Sequence, residues 1–181
     1  MTVTLDRPVA SAPQHEPVPE RPDTKHNKLV IFAFSGDLDR VWPTFILGTT
    51  AAASGMETTI FFTFWGLFPL VRNDVAITGE NWMQKMMAVM NRGGTQHLKL
   101  SKMNFLGAGP AMMRSLANAH HVASPQELLD IAKELGIKLI PCQMTMDLLG
   151  LKREDLIDGL EEPAGAVTAL EAARDAVTLF I

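Results

Sequence analysis

Apolar residues in this chain gather into short unbroken runs, each closed by a turn residue, with segments of helical periodicity between them. "KLVIFAFSGD" (28–37) is β-branched and aromatic and ends in Ser-Gly-Asp, the pattern of a buried strand. "DRVWPTFILGTTAAASG" (39–55) predicts a helix, with Asp39 as its cap and Gly55 as its stop. "ETTIFFTFWG" (57–66) predicts a second strand. Strand, helix and strand with short links imply a right-handed crossover unit of a parallel sheet.

Beyond Trp65 and Gly66 the pattern loosens. "NWMQKMMAVMNRGG" (81–94) places Met83, Met86, Met87 and Met90 on one helical stripe, and "GPAMMRSLANAH" (109–120) predicts a further short helix. "SPQELLDIAKELG" (124–136) carries a full helix signature: Ser124 as cap, Pro125 in the first turn, Glu127 three residues after the cap, Gly136 as stop. "IKLIPC" (137–142) is a third strand, "KREDLIDGL" (152–160) a short polar helix, and "AVTALEAARDA" (166–176) a helix running into a last strand, "VTLFI" (177–181). Residues 28–181 thus predict one α/β domain with a parallel sheet of about five strands. Residues 1–27, rich in Pro and polar groups and without periodicity, predict a disordered tail, and they lack the apolar core of a secretory signal.

One run is long enough to raise a membrane. From Val41 to Val71 the only charge is Glu57, and a bilayer span needs about 20 apolar residues. "ASGMETT" breaks the run, and its two sides differ in character, one Ala-rich and helical, the other β-branched and aromatic. Buried parallel strands also read as continuous apolar runs, so a soluble domain is expected, with peripheral membrane contact left open.

Charge and cysteine usage narrow the function classes. A net charge of -4 with no Lys/Arg-dense run argues against nucleic acid as the main partner. A single cysteine excludes an internal disulfide framework and a multi-cysteine zinc site. Together with the absence of a signal, this places the chain in the cytoplasm.

That cysteine, Cys142, sits in "KLIPCQMTMDLLGL" (138–151), at the end of the third strand and before a helical segment with Thr145 as a possible cap. In parallel α/β sheets, reactive groups gather at the carboxyl ends of the strands, where Ser35-Gly36-Asp37, Trp65-Gly66 and Pro141-Cys142-Gln143 all fall. A thiolate beside a helix start is favoured by the unpaired N–H groups there. No histidine has a hydrolase-type setting and no second thiol exists for a redox pair. An accessible lone thiolate without base or partner suits simpler chemistry, in which it accepts sulfur and holds it as a persulfide. The plainer account is that a lone cysteine is a small buried hydrophobe.

The same segments resemble the DsrE/DsrF-like family of sulfur-trafficking proteins, in particular the subgroup described as predicted peroxiredoxins. "KLVIFAFSGDLDRVWPTFILGTTAAASGMETTIFFTFWGL", "NFLGAGPAMMR" and "IKLIPCQMTMDLLGL" carry the resemblance, which covers roughly residues 28–181. It implies a flavodoxin-like fold assembled into a homo-oligomer, a trimer or hexamer. It also implies that Cys142 carries persulfide sulfur between a rhodanese- or TusA-type donor and a downstream acceptor. Such a chain is a sulfurtransferase or sulfur carrier rather than a turnover enzyme, with no cofactor or metal. Some relatives have a second cysteine; this chain does not, so no internal thiol pair is implied.

Other features have candidate roles beside plainer ones. No Asp or Glu occurs between Asn81 and Gln126, while Lys85, Arg92, Lys99, Lys102 and Arg114 do. This is either a solvated basic face or a docking surface for an acidic sulfur-carrier partner. Trp65, Gly66, Gly107 and Gly109 are candidates for shaping a pocket around the thiol, the glycines by close backbone approach to Cys142. Nine of the eleven methionines lie between Met83 and Met146, which is read as adaptable core packing for most of them, with a Met-rich surface for partners or an oligomer interface as the alternative. The rival reading of the whole chain is a non-catalytic oligomeric interaction protein, in one version membrane-peripheral, with Cys142 buried and inert.

Overall fold

The computed structural model describes residues 27–74 and 93–181. Four strands, β1 (Lys28–Ala33), β2 (Glu57–Phe62), β3 (Lys138–Pro141) and β4 (Val177–Phe180), form one sheet in the order β3-β2-β1-β4. Every pairing is parallel, with Lys28 opposite Glu57, Thr59 opposite Lys138 and Leu29 opposite Val177. The expected parallel α/β sheet is present. Among the described residues the sheet has four strands against the five or so expected; the segment before the last helix adds one bridge, Cys142 to Ala164, to the β3 edge.

Five α-helices are described: α1 (Leu38–Ala53), α2 (Ala108–Ala119), α3 (Pro125–Glu134), α4 (Gln143–Leu149) and α5 (Ala166–Ala172). The start of α3 forms as its sequence requires: the Ser124 hydroxyl accepts from the Glu127 N–H at 3.3 Å, and the Glu127 carboxylate accepts from the Ser124 N–H at 2.7 Å. Gly136 follows its end with φ 69°, a conformation open to glycine without Cβ strain.

Three local expectations are corrected. The capping position of α1 is Asp37, whereas Asp39 lies in the first turn and accepts from the Ser101 N–H and hydroxyl. Burial pushes the Asp39 carboxyl up, and the two Ser101 bonds outweigh it, leaving the group below its ordinary value. The polar helix expected over residues 152–160 shrinks to a 3-10 turn, Arg153–Asp155, after which the chain turns extended at Leu156, whose side chain is buried in the core. Strand β2 stops at Phe62, and Phe64–Leu70 continues as a 3-10 helix that buries Leu67, Phe68 and Leu70.

The two faces of the sheet are covered unequally. Leu29, Ile31, Ala33, Ile60, Phe62 and Leu139 point to one side, where Val41, Trp42 and Phe45 of α1 and Leu128 and Leu129 of α3 complete the main core. Phe61, Ile140 and Cys142 point to the other, where the only buried helical residue of their cluster is Ala169 of α5. The Val41 to Val71 run is thus divided among α1, β2 and the 3-10 helix. No helix among the described residues is long and apolar enough to cross a membrane.

Candidate functional site

Cys142 stands at the junction of β3 and α4. Its N–H donates to Phe62 O at 2.9 Å, the last rung of the β2–β3 ladder, and its carbonyl accepts from the Met146 N–H at 3.0 Å, the first turn of α4. The helix therefore begins directly after the cysteine, three residues earlier than a Thr145 cap would place it. Thr145 instead lies buried inside α4, where its hydroxyl accepts from the Phe64 N–H at 3.1 Å and meets Thr63 Oγ1 at 3.2 Å. These bonds pin α4 to the chain leaving β2. Hydrophobic patterning does not distinguish this inward threonine from a cap.

The accessible thiol expected from sequence is not observed. Cys142 is 3% exposed, enclosed by Phe61, Ile140 and Ala169, with Phe32 and Ala164 at the rim. Its cover is slight. Helix α5 has seven residues and buries one of them, while Val167 and Leu170 face solvent. The segment before α5 is held to the β3 edge by the Ala164 N–H on Pro141 O and the Gln143 N–H on Ala164 O, both 3.0 Å.

A second feature lies at the same end of the sheet. Ser35, Asp37, Trp65, Phe68, His97 and Lys99 line a cavity of about 390 Å³ outside the end of β1. Glycine is required at its back wall. A Cβ on Gly66 would collide with Ala33 O, and one on Gly36 would lie 2.5 Å from Trp65 O. The chains leaving β1 and β2 thus pack backbone to backbone, and the Gly66 N–H donates to Phe34 O at 3.0 Å. The Trp65 ring stacks on Phe68 with centroids 5.8 Å apart. Ser35 donates to the Asp37 carboxylate at 3.1 Å, and the His97 Nδ1 and Gly93 O lie 3.1 Å apart, the ring nitrogen being the only possible donor of the two.

The candidates named from sequence divide accordingly. Trp65 and Lys99 meet on this cavity, with Gly66 behind it, whereas the thiol lies on the far face of β3. Gly109 packs against Met103 O and Leu100, and a Cβ on Gly107 would meet nothing within 4 Å, so neither glycine borders Cys142. Lys102 is exposed. Arg114 turns inward toward Thr95 O at 3.4 Å, and burial pulls its guanidinium below the ordinary value. Lys85 and Arg92, with the methionine stripe from Met83 to Met90, lie outside the described residues, as does the tail but for Asn27. Asp37 lies in the Ser35-Gly36-Asp37 loop that the sequence placed at a strand end, whereas His97 was not singled out, because only the fold brings residue 97 back to the end of β1. Among the described residues, no cluster of three His, Cys, Asp or Glu side chains could hold a metal.

A model of the DsrE/DsrF/DrsH-like family matches residues 25–180. The chain belongs to that family. Over 158 residues it is 38% identical to YrkE of Bacillus subtilis, covering 87% of this chain and 98% of YrkE. It is 37% identical over 161 residues to the sulfur carrier protein DsrE2 of Allochromatium vinosum, covering 87% of this chain and 99% of DsrE2. The crystal structure of the E. coli ychN protein superposes with a TM-score of 0.53 at 15% identity, covering 85% of this chain and 98% of that one, a likeness of fold.

Proposed function

We propose that this DsrE-family protein is a cytoplasmic sulfur carrier that holds sulfane sulfur on Cys142 as a persulfide. The observation that carries the reading is the placement of the chain's one thiol at the carboxyl end of a parallel strand, directly before a helix, under a cover that buries a single helical residue. The name of the 37% identical DsrE2 supports it. Loading transfers a sulfur atom from a donor persulfide, R–S–SH, to the thiol. The Cys142 sulfur forms the new S–S bond, the donor's S–S bond breaks, and R–S⁻ leaves and takes up the thiol proton. No oxidant is consumed. Because Cys142 is buried, loading requires α5 and the Ala164 segment to move aside, and segments with few buried contacts open most readily.

The donor and acceptor fitting this chemistry are carrier proteins of rhodanese or TusA type, met at the carboxyl edge of the sheet. Of the expected docking cations, Lys99 and Lys102 are exposed among the described residues. Self-association into a trimer or hexamer is part of the reading. Parallel sheets are normally covered on both faces, yet Phe34 and Phe180 on the thiol's side are 43% and 71% exposed, their rings stacked 5.5 Å apart. A further copy would cover them.

Intact mass after incubation with a low-molecular-weight persulfide tests the reading. Wild type should gain one or more sulfur atoms, removable by reductant, and Cys142→Ser should gain none. A specific observation favours the rival, an inert core cysteine: the 3% exposure itself. If the native protein neither gains sulfur nor reacts with an alkylating reagent until denatured, the carrier reading fails and the interaction-protein reading stands.

A further inference from the structure

We infer that residues 102–116 form a wedge that docks the protein on an anionic lipid surface, with Phe105 and Leu106 entering the acyl boundary and Lys102 among the headgroups. This stands apart from the sulfur reading and does not depend on it.

The observation behind it is a double anomaly. Met103, Phe105 and Leu106 have φ of 59°, 37° and 55°, followed by Gly107 at 99°. Bulky residues adopt this region only when their surroundings force it, and such outliers gather at functional sites. Here the same residues are also exposed: Phe105 and Leu106 are among the most exposed large apolar side chains described, and Phe105–Gly107 buries no residue. The base of the wedge is what holds the conformation. The Gly107 N–H donates to Asn104 O at 2.7 Å, and Gly109 lies so close to Met103 O that no side chain fits between them.

The helix behind the tip continues the pattern. α2 buries only Gly109 and Pro110, leaving Met112, Met113 and Leu116 exposed. Between α2 and α1 runs a cleft of about 340 Å³ walled by Trp42, Ile46, Met113, Leu116 and Val122. An acyl chain suits such a groove.

Charge selects the occupant. From residue 93 to 126 there is no Asp or Glu, while Lys99, Lys102 and Arg114 are present, in a chain of net charge -4. Four carboxylates on the neighbouring elements are placed away from the tip or engaged: Asp39 accepts from Ser101 at the wedge's base, Asp37 lines the cavity with Lys99, and Glu127, with Asp130 beside it, faces the opposite end of α2 near Asn118 and His121. The exposed Lys102 thus stands beside the apolar tip. Apolar insertion beside cations, on a polar body, is how peripheral proteins hold anionic bilayers. The tip is convex: it fits a soft bilayer without a shaped socket.

The test is co-sedimentation of the full chain with phosphatidylcholine vesicles, with and without phosphatidylglycerol, for wild type, Phe105→Ser/Leu106→Ser and Lys102→Glu. Size-exclusion chromatography and thermal unfolding of each are run alongside. Wild type should pellet with the phosphatidylglycerol vesicles and be released by salt. The double variant should lose binding and Lys102→Glu should weaken it, with oligomeric state and unfolding midpoint unchanged. Failure of wild type to pellet, equal pelleting without phosphatidylglycerol, or undiminished binding by Lys102→Glu overturns the inference. So does a double variant that changes oligomeric state, which would make the wedge a contact between copies.

Discussion

The two faces of the sheet do different jobs. On the α1 face, Ile31, Phe45, Ile60, Phe62 and Leu139 are almost wholly removed from solvent by elements of the same chain. On the thiol face, Cys142, Phe61 and Ile140 are covered by a seven-residue helix and its approach, and toward β4 the stacked rings of Phe34 and Phe180 stay in water. Stability is concentrated on the first face. The second is where a strand end, a thiol and uncovered aromatic surface coincide, and the proposed sulfur chemistry and self-association are assigned to it. A face that holds the fold together cannot also open.

Substitution of matched residues on the two faces tests this most severely. Phe45, fully buried and 6.1 Å from the Phe62 ring, should cost about 3–5 kcal/mol of unfolding free energy when changed to Ala. Phe180→Ala should cost the monomer under about 1 kcal/mol and should instead shift the proposed oligomer toward smaller species in sedimentation velocity. Equal losses of stability would erase the distinction between the faces.

A smaller effect is expected where α4 meets the exit of β2. Thr145→Val keeps the shape and removes the acceptor of the Phe64 N–H, which should cost about 1–2 kcal/mol in denaturant unfolding. If the two faces are coupled through this joint, native-state alkylation of Cys142 should also accelerate. An unchanged rate would show that access depends on α5 alone.

The smallest effect lies at the far end of the strands. Lys138 donates to Glu57 at 2.7 Å, and this bond and charge, with Lys28 beyond it, hold the Glu57 carboxyl below its usual value of 4.5. A lowered folded-state pKa stabilises above the unfolded value, and the contribution is lost as pH falls from there through the folded value. The pair is about half exposed, so the contribution should stay below about 1 kcal/mol. Unfolding midpoints of wild type and Glu57→Gln, compared at neutral pH and below pH 4, should converge at the acid end.

Much of this architecture is legible along the chain because its signals are local. Ser124, Pro125, Glu127 and Gly136 delimit a helix by hydrogen bonds that reach three or four residues, so the pattern and α3 agree. Strands β1 to β3 agree because buried strand residues read as apolar runs wherever they occur, whereas β4 is apolar in sequence yet largely exposed. The readings that changed rest on distant partners. Asp39 looked like a cap and binds Ser101. Thr145 looked like a cap and serves Phe64. Gly107 and Gly109 looked like neighbours of the thiol and belong to the wedge.

The sequence by itself determined a parallel α/β domain of the DsrE/DsrF/DrsH-like family and put its one cysteine at a strand's carboxyl end, because strand runs, helix caps and residue order are properties of neighbouring positions. Only the tertiary structure decided that this thiol is buried, that Trp65 and Lys99 share a cavity with Asp37 and His97, and that Phe105 and Leu106 stand out in solvent. Those facts depend on which faces of the folded chain find a cover, and burial is a property of the whole packed molecule.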